Sequence, residues 1–158
     1  MRFSLPTLLF TALLASGCPS AYQRTYDTEL GRLEGERRAR EQVEAQEAGK
    51  FVAVVLFEVN RSEIDDTGSR EIDWFLEQIA PYPSVHVEVK GYADSTGSEA
   101  HNEGLSNERA WAVQDYLISR GLPPERVSIS AFGSRDPERS NQTAKGRKQN
   151  RRAVLRTR

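Results

Sequence analysis

The sequence predicts an α/β sandwich with its helices packed on one face of a mixed sheet, and three observations lead there. Short β-branched or alternating apolar runs occur at 51–59, 85–90, 126–132 and 152–156. Segments with apolar residues at helical spacing separate the first three of these runs. Proline or glycine closes each helical segment. The order reads β-α-β-α-β-loop-β, and helices alternating with strands must cover a sheet.

Each element has its own signal. FVAVVLFEV (51–59) is a continuous apolar run of strand length, broken by Asn60-Arg61-Ser62. Ser69–Ala80 carries Ile72, Phe75, Leu76 and Ile79 on one helical face, and Pro81 and Pro83 stop it. Val85, Val87 and Val89 alternate with His86, Glu88 and Lys90, so this strand is half-buried and His86 faces solvent. Leu105, Val113, Tyr116 and Leu117 mark a second helix that ends before Gly121 and Pro123. Arg126–Phe132 alternates again, a loop rich in Gly, Pro and Asn follows, and Arg152–Arg156 forms a last short strand. Trp74 and Trp111 fall on the helices as packing residues.

Composition bounds the function. The chain has 158 residues, 28% charged and 8% aromatic, with a net charge of −1, which suits one soluble domain with extras at its ends. Overall charge does not point to nucleic acid. Residues 135–158 hold nine basic side chains against Asp136 and Glu138, which reads as a polar rim in which Arg151 and Arg152 brace the fold or the edge of a pocket. Catalytic signatures are missing: there is no G-x-S-x-G, no H-E-x-x-H and no metal-spaced His/Cys set, so no cofactor or metal is expected. A glycosidase would need a second carboxylate, for which Glu99 and Glu103 are candidates by count only.

The N-terminus is a separate matter. Residues 1–17 combine Arg2, an apolar stretch from Leu5 to Leu14 and small residues, the pattern of a secretory signal. Ala15-Ser16-Gly17-Cys18 resembles a bacterial lipobox, in which the cysteine is lipidated; the alternative is an ordinary cleaved signal. Cys18 is the only cysteine, so no intramolecular disulfide is possible, and a lone thiol in an oxidising compartment is a liability unless used. Residues 18–50 are nearly free of aliphatics, and charges of both signs interleave at i,i+4, as in Glu34/Arg38 and Arg40/Glu44. This segment is expected to be a solvated, partly helical tether to a folded domain at 51–158.

One stretch carries chemistry: GYADSTGSEAHNEGLSNERAWAV, 91–113. Asp94 follows the second strand just past Gly91, where backbone must come close or bend. Asn102, Ser106 and Arg109 stand at i, i+4 and i+7 and share one helix face. An acceptor-only carboxylate and a planar guanidinium flanking a gap would suit a zwitterion, with ammonium on Asp94 and carboxylate on Arg109. The alternative is that Asp94 caps its loop and pairs directly with Arg109. Both side chains are expected at a pocket mouth, outside the core.

Gly91-Tyr92-Ala93-Asp94-Ser95-Thr96-Gly97, followed by Asn102, Leu105-Ser106, Arg109-Ala110 and Val113, resembles the signature of the OmpA-like peptidoglycan-binding domain, as does the tail Gly146-Arg147 and Asn150-Arg151-Arg152-Ala153-Val154. The likeness spans about 51–156; with lipobox and tether the whole chain is similar to the peptidoglycan-associated lipoproteins (Pal). The resemblance implies that Asp94 and Arg109 grip the diaminopimelate of the stem peptide and that Asn60 and Asn102 line the same pocket. Tyr92 stands where that family often has His. The implied function is non-enzymatic anchoring of the outer membrane to the cell wall, with peptidoglycan and the lipid bilayer, through acylated Cys18, as partners. Tol-system proteins are the candidate protein partners, and no nucleic acid is implied. The alternatives are a wall-degrading enzyme and an unlipidated, soluble periplasmic binder.

Overall fold

The structure is a computed structural model and describes residues 21–158. The expected signal peptide and lipidation site at Cys18 lie outside the described residues. The elements, in order, are α1 (Ala21–Ala48), β1 (Val52–Leu56), α2 (Asp66–Ile79), β2 (Val87–Gly91), α3 (Glu99–Ser119), β3 (Val127–Ala131), α4 (Ala144–Asn150) and β4 (Arg152–Thr157). The four strands form one mixed sheet in the order β1-β4-β2-β3. β4 runs antiparallel to both neighbours, and β2 and β3 are parallel, joined through α3. The expected mixed sheet with helices on one face is present.

The helices cover the sheet because the apolar residues of both coincide. α2 brings Ile72, Phe75 and Ile79 onto Ala53, Val55 and Phe57; α3 brings Ala110, Val113 and Leu117 onto Val87, Val89 and Leu155. Gly91 sets the separation of α3 and β2: a Cβ there would lie 1.9 Å from the Ser106 carbonyl oxygen, so only glycine allows this approach. Trp74 and Trp111 are exposed on the outer faces of their helices, and His86 is exposed as its alternation implied.

Three differences from the sequence reading have local causes. α2 starts before Ser69, because the Asp65 carboxylate caps it by accepting from Gly68 N–H at 2.7 Å. α4 lies in a segment read as loop; AKGRKQN has no apolar period, and Thr143 caps it by accepting from Gly146 N–H at 3.0 Å. α1 is one helix through Gly31 and Gly35 rather than a partly helical stretch, with surface pairs such as Arg32–Glu36 along it.

The chain divides into two compact units, the second beginning at Arg38. The last turns of α1 therefore belong with the sheet. Ala48 is fully buried, its carbonyl accepts from the Thr157 hydroxyl at 2.6 Å, and the Glu44 carboxylate accepts from the Ser84 hydroxyl and N–H. In the N-terminal unit, residues 21–37 form helix with every side chain exposed. No helix among the described residues is long and apolar enough to cross a membrane.

Candidate functional site

At the end of β2 the backbone leaves the sheet under tight control. Tyr92 N–H donates to Arg152 O at 2.8 Å and Ala93 N–H to Gly133 O at 2.7 Å, while Gly133 N–H donates to Ser106 Oγ at 2.9 Å. These bonds tie the strand end, the β3–α4 loop and α3 together and aim Asp94 along the sheet rim. Opposite stands the β1–α2 loop, where Asn60 sits at φ 54°, a left-handed conformation that asparagine tolerates. Its amide oxygen lies 2.8 Å from His101 Nε2 at the start of α3.

Between these segments is a cavity of about 190 Å³, lined by Val59, Asn60, Asp94, Thr96, Gly97, His101, Asn102, Leu105, Arg109 and Arg151. All four residues singled out as ligand contacts, Asp94, Arg109, Asn60 and Asn102, meet here. Asn102, Ser106 and Arg109 do share one face of α3, and that face is buried.

The internal pairing departs from the direct-bridge reading of the sequence, although Asp94 does cap its own loop. Asp94 is not bridged to Arg109. Its Oδ2 accepts from Arg151 Nη1 at 3.0 Å and its Oδ1 accepts from Thr96 N–H at 2.8 Å. Arg109 instead donates from Nε to Arg61 O at 2.9 Å, from Nη1 to Tyr92 O at 2.9 Å and from Nη2 to Glu58 O at 3.2 Å. Neither side chain stands at an open mouth: Arg109 is 0% and Asp94 6% exposed. A long side chain one turn before Val113 on the α3 face that packs on the sheet has nowhere to go but inward, and its charge is met by loop carbonyls.

Electrostatics follow from this packing. Burial, the largest influence on Asp94, pushes its carboxyl up, but the Thr96 N–H and the Arg151 guanidinium outweigh it and hold the group below the usual carboxylate range. Burial, with Arg151 adding like-charge repulsion, depresses Arg109 well below the usual guanidinium range, to about 10. Two guanidinium groups thus line a cavity with one carboxylate, which only Arg151 bonds, and the cavity lining is short of negative charge. Glu99 and Glu103 do not line it; Glu103 lies 3.5 Å from Arg135 at the surface.

Arg151 is the residue whose place in the cavity sequence reasoning underrated, since it read only as a brace. It does brace, donating from Nε to Phe57 O at 3.0 Å, and it also holds the central carboxylate. Asn150 beside it is wholly buried, pairs with the Arg139 backbone in both directions and donates to Asn141 Oδ1 at 2.8 Å. Asn141 Oδ1 in turn accepts from Ser95 N–H at 3.2 Å, next to Asp94. The Tyr92 ring does not line the cavity; it stacks on Phe132 with centroids 5.2 Å apart, and the Arg152 guanidinium lies 3.9 Å from its centroid. Tyr92 serves the site through its carbonyl.

The chain resembles proteins of known structure and sequence. It is 35% identical over 105 residues to outer membrane protein A of Bordetella avium, which covers 66% of this chain and 54% of that protein. It is 37% identical over 89 residues to outer membrane protein A of Salmonella typhi, covering 55% of this chain and 25% of that one. The chain thus spans from a quarter to about half of these relatives' length. The C-terminal domain of Helicobacter pylori MotB superposes with a TM-score of 0.62 at 27% identity, over 66% of this chain and 83% of that one. The peptidoglycan-associated lipoprotein of Burkholderia pseudomallei shares the fold, with a TM-score of 0.64 at 23% identity over 67% of this chain and 90% of that one. Residues 56–151, which include β2, β3 and every residue lining the cavity, match the OmpA family. With the fold that the residue pattern implied in place, the chain belongs to the OmpA family.

Proposed function

We propose that this chain is a non-enzymatic anchor that binds peptidoglycan by closing its cavity on the diaminopimelate of a stem peptide. The charge deficit of the cavity carries the reading. Arg109 is a buried cation that its surroundings disfavour, and a ligand carboxylate would relieve that penalty. Its guanidinium has N–H groups to spare beyond the three carbonyls it serves. Asp94 has lone pairs left after Thr96 and Arg151, and these would take the ligand ammonium. Asn60 and Asn102 supply amides on either side for the peptide. A relative called a peptidoglycan-associated lipoprotein shares the fold, which agrees with a wall ligand.

In this reading residues 1–17 are a signal peptide, Cys18 is lipidated, and the helical tether sets the reach between outer membrane and wall. The candidate protein partners are Tol-system proteins. A tether 17 residues long from Ala21 to Arg37 spans roughly 25 Å as helix.

Three measurements test the proposal. Full-length protein incubated with labelled sacculi should sediment with them, releasing no soluble fragments; soluble muropeptides would make it a wall-degrading enzyme. Calorimetric titration should show that a stem peptide carrying diaminopimelate binds, while one with that residue's free amino-acid centre amidated binds at least tenfold more weakly. Equal affinities would remove the zwitterion grip. A fatty-acid label should enter the wild-type chain and be lost in Cys18→Ala; label kept by the variant would end the lipoprotein reading.

A further inference from the structure

We propose that the free edge of β1 is a self-association surface, on which a second copy of this chain adds its own β1 antiparallel to extend the sheet across a two-fold axis.

β1 is an outer strand of the sheet, and natural sheet edges are normally blunted by charge, proline or a bulge. This one is not. Val52, Val54 and Leu56 are 39%, 42% and 39% exposed, a row of apolar side chains on the face opposite the helices. The other outer strand, β3, presents Ser128 and Ser130 on that same face. Open space flanks the β1 edge on both sides. A cavity of about 220 Å³ lined by Val54, Leu56, Gly68 and Glu71 lies beside it, and a groove of about 360 Å³ runs over Val52, Val54 and Leu56 on the open face.

The backbone is poised for pairing. Phe57 N–H donates to Arg151 O, and bonding in an antiparallel ladder alternates. Residues 53, 55 and 57 therefore bond to β4, while 52, 54 and 56 turn their N–H and C=O groups to the free edge.

The sequence of the strand says which occupant fits. Lys50-Phe51-Val52-Ala53-Val54-Val55-Leu56-Phe57-Glu58 is complementary to its own reverse about Val54. With Val54 on the two-fold axis, Val52 faces Leu56 of the second copy, Ala53 faces Val55, Phe51 faces Phe57, and Lys50 faces Glu58. The edge-facing residues 52, 54 and 56 then become hydrogen-bonded pairs, giving about six inter-copy bonds. Lys50 and Glu58 are both exposed, and the surface pair of Lys50 with Glu47 at 2.9 Å leaves the ammonium further donors for Glu58 of the second copy. A register shifted by two residues would lose the charge match.

The register is tested with full-length chains in which Cys18 is replaced by Ala. Sedimentation equilibrium should show a concentration-dependent dimer that Val54→Lys weakens at least tenfold, since two like charges would face each other on the axis, with an unchanged melting curve. Lys50→Glu and Glu58→Lys should each weaken the dimer, and the double variant should restore it. Under mild oxidation Val54→Cys should cross-link to itself; Val52→Cys and Leu56→Cys should cross-link when mixed and not alone. A chain that stays monomeric up to about 1 mM overturns the proposal. So does a dimer that survives Val54→Lys and, in the Val54→Cys variant, gives no cross-link.

Discussion

Asp94 is held by Arg151 and not by Arg109: the carboxylate accepts from Arg151 Nη1 at 3.0 Å, and both side chains are almost wholly buried, at 7% and 9% exposure. Arg109 is free of that pairing and fixed by three carbonyls, which leaves it available to a ligand in a way that a direct bridge would not.

Substitutions at Asp94 and Arg109 should therefore affect folding as well as binding. Asp94→Asn leaves Arg151 buried without its counter-charge and should cost about 3–5 kcal/mol of stability. It should also cost about 2–4 kcal/mol of binding. Arg109→Lys cannot serve three carbonyls from one ammonium, so it should lower stability by about 2–4 kcal/mol as well as affinity. Melting curves beside calorimetry check both, and an unchanged melting temperature in either variant contradicts the burial described. The Asp94→Asn/Arg109→Lys double variant should lose less than the sum, because both groups face one cavity.

Acid should loosen the site only once pH drops below the ordinary carboxylate range. Because the folded-state pKa of Asp94 is depressed, its contribution is complete above the unfolded carboxylate range, about 4, and is lost as pH falls through the lower folded value. At the other end, Arg109 loses its charge near pH 10 in the fold. Affinity for a carboxylate ligand should be flat through neutral pH and fall on both sides. Calorimetry from pH 3 to pH 11 checks this on the native chain; in Asp94→Asn the acid limb should vanish.

Glycine positions give a sharp contrast within one helix contact. Gly91→Ala would set a Cβ 1.9 Å from Ser106 O, forcing α3 off the sheet, and should cost about 2–4 kcal/mol. Gly104→Ala, within α3 with nothing inside 4 Å, should stabilise by about 0.5–1 kcal/mol. Thermal melting of the two variants side by side measures both.

The helix preceding the sheet should divide in the same way. Deleting the seven residues 28–34, where every side chain is exposed, should leave stability within about 0.5 kcal/mol. Glu44→Ala, which strips the Ser84 hydroxyl and N–H of their acceptor, should cost about 0.5–1.5 kcal/mol. Urea denaturation of each variant reads the difference.

Most of the fold was legible because apolar periodicity alone places Phe75 and Ile79 on a helix and Val87 and Val89 on a strand. The resemblance carried by Gly91–Gly97 and Asn150–Val154 named the family. What the sequence hid were features without a period. α4 has no apolar face, and the inward turn of Glu44 and Ala48 is a tertiary event in a segment of surface composition. The Asp94–Arg151 bridge was hidden for a related reason. It joins residues far apart in sequence, through a strand whose position between β1 and β2 no local pattern states. Spacing on α3 put Arg109 on the right face, but only the packing of that face shows that the guanidinium is spent on carbonyls.

The placing of β4 has a consequence for how the molecule comes into being. β4 is the last described strand in sequence and lies between β1 and β2, pairing with both. As the chain emerges from a ribosome, β1 and β2 have no strand between them until β4 is free, and the Arg151 that steadies Asp94 arrives only with it. Contacts this distant close late and slowly. A nascent chain is thereby kept from sealing its sheet early, and the cavity forms only once β4 has emerged.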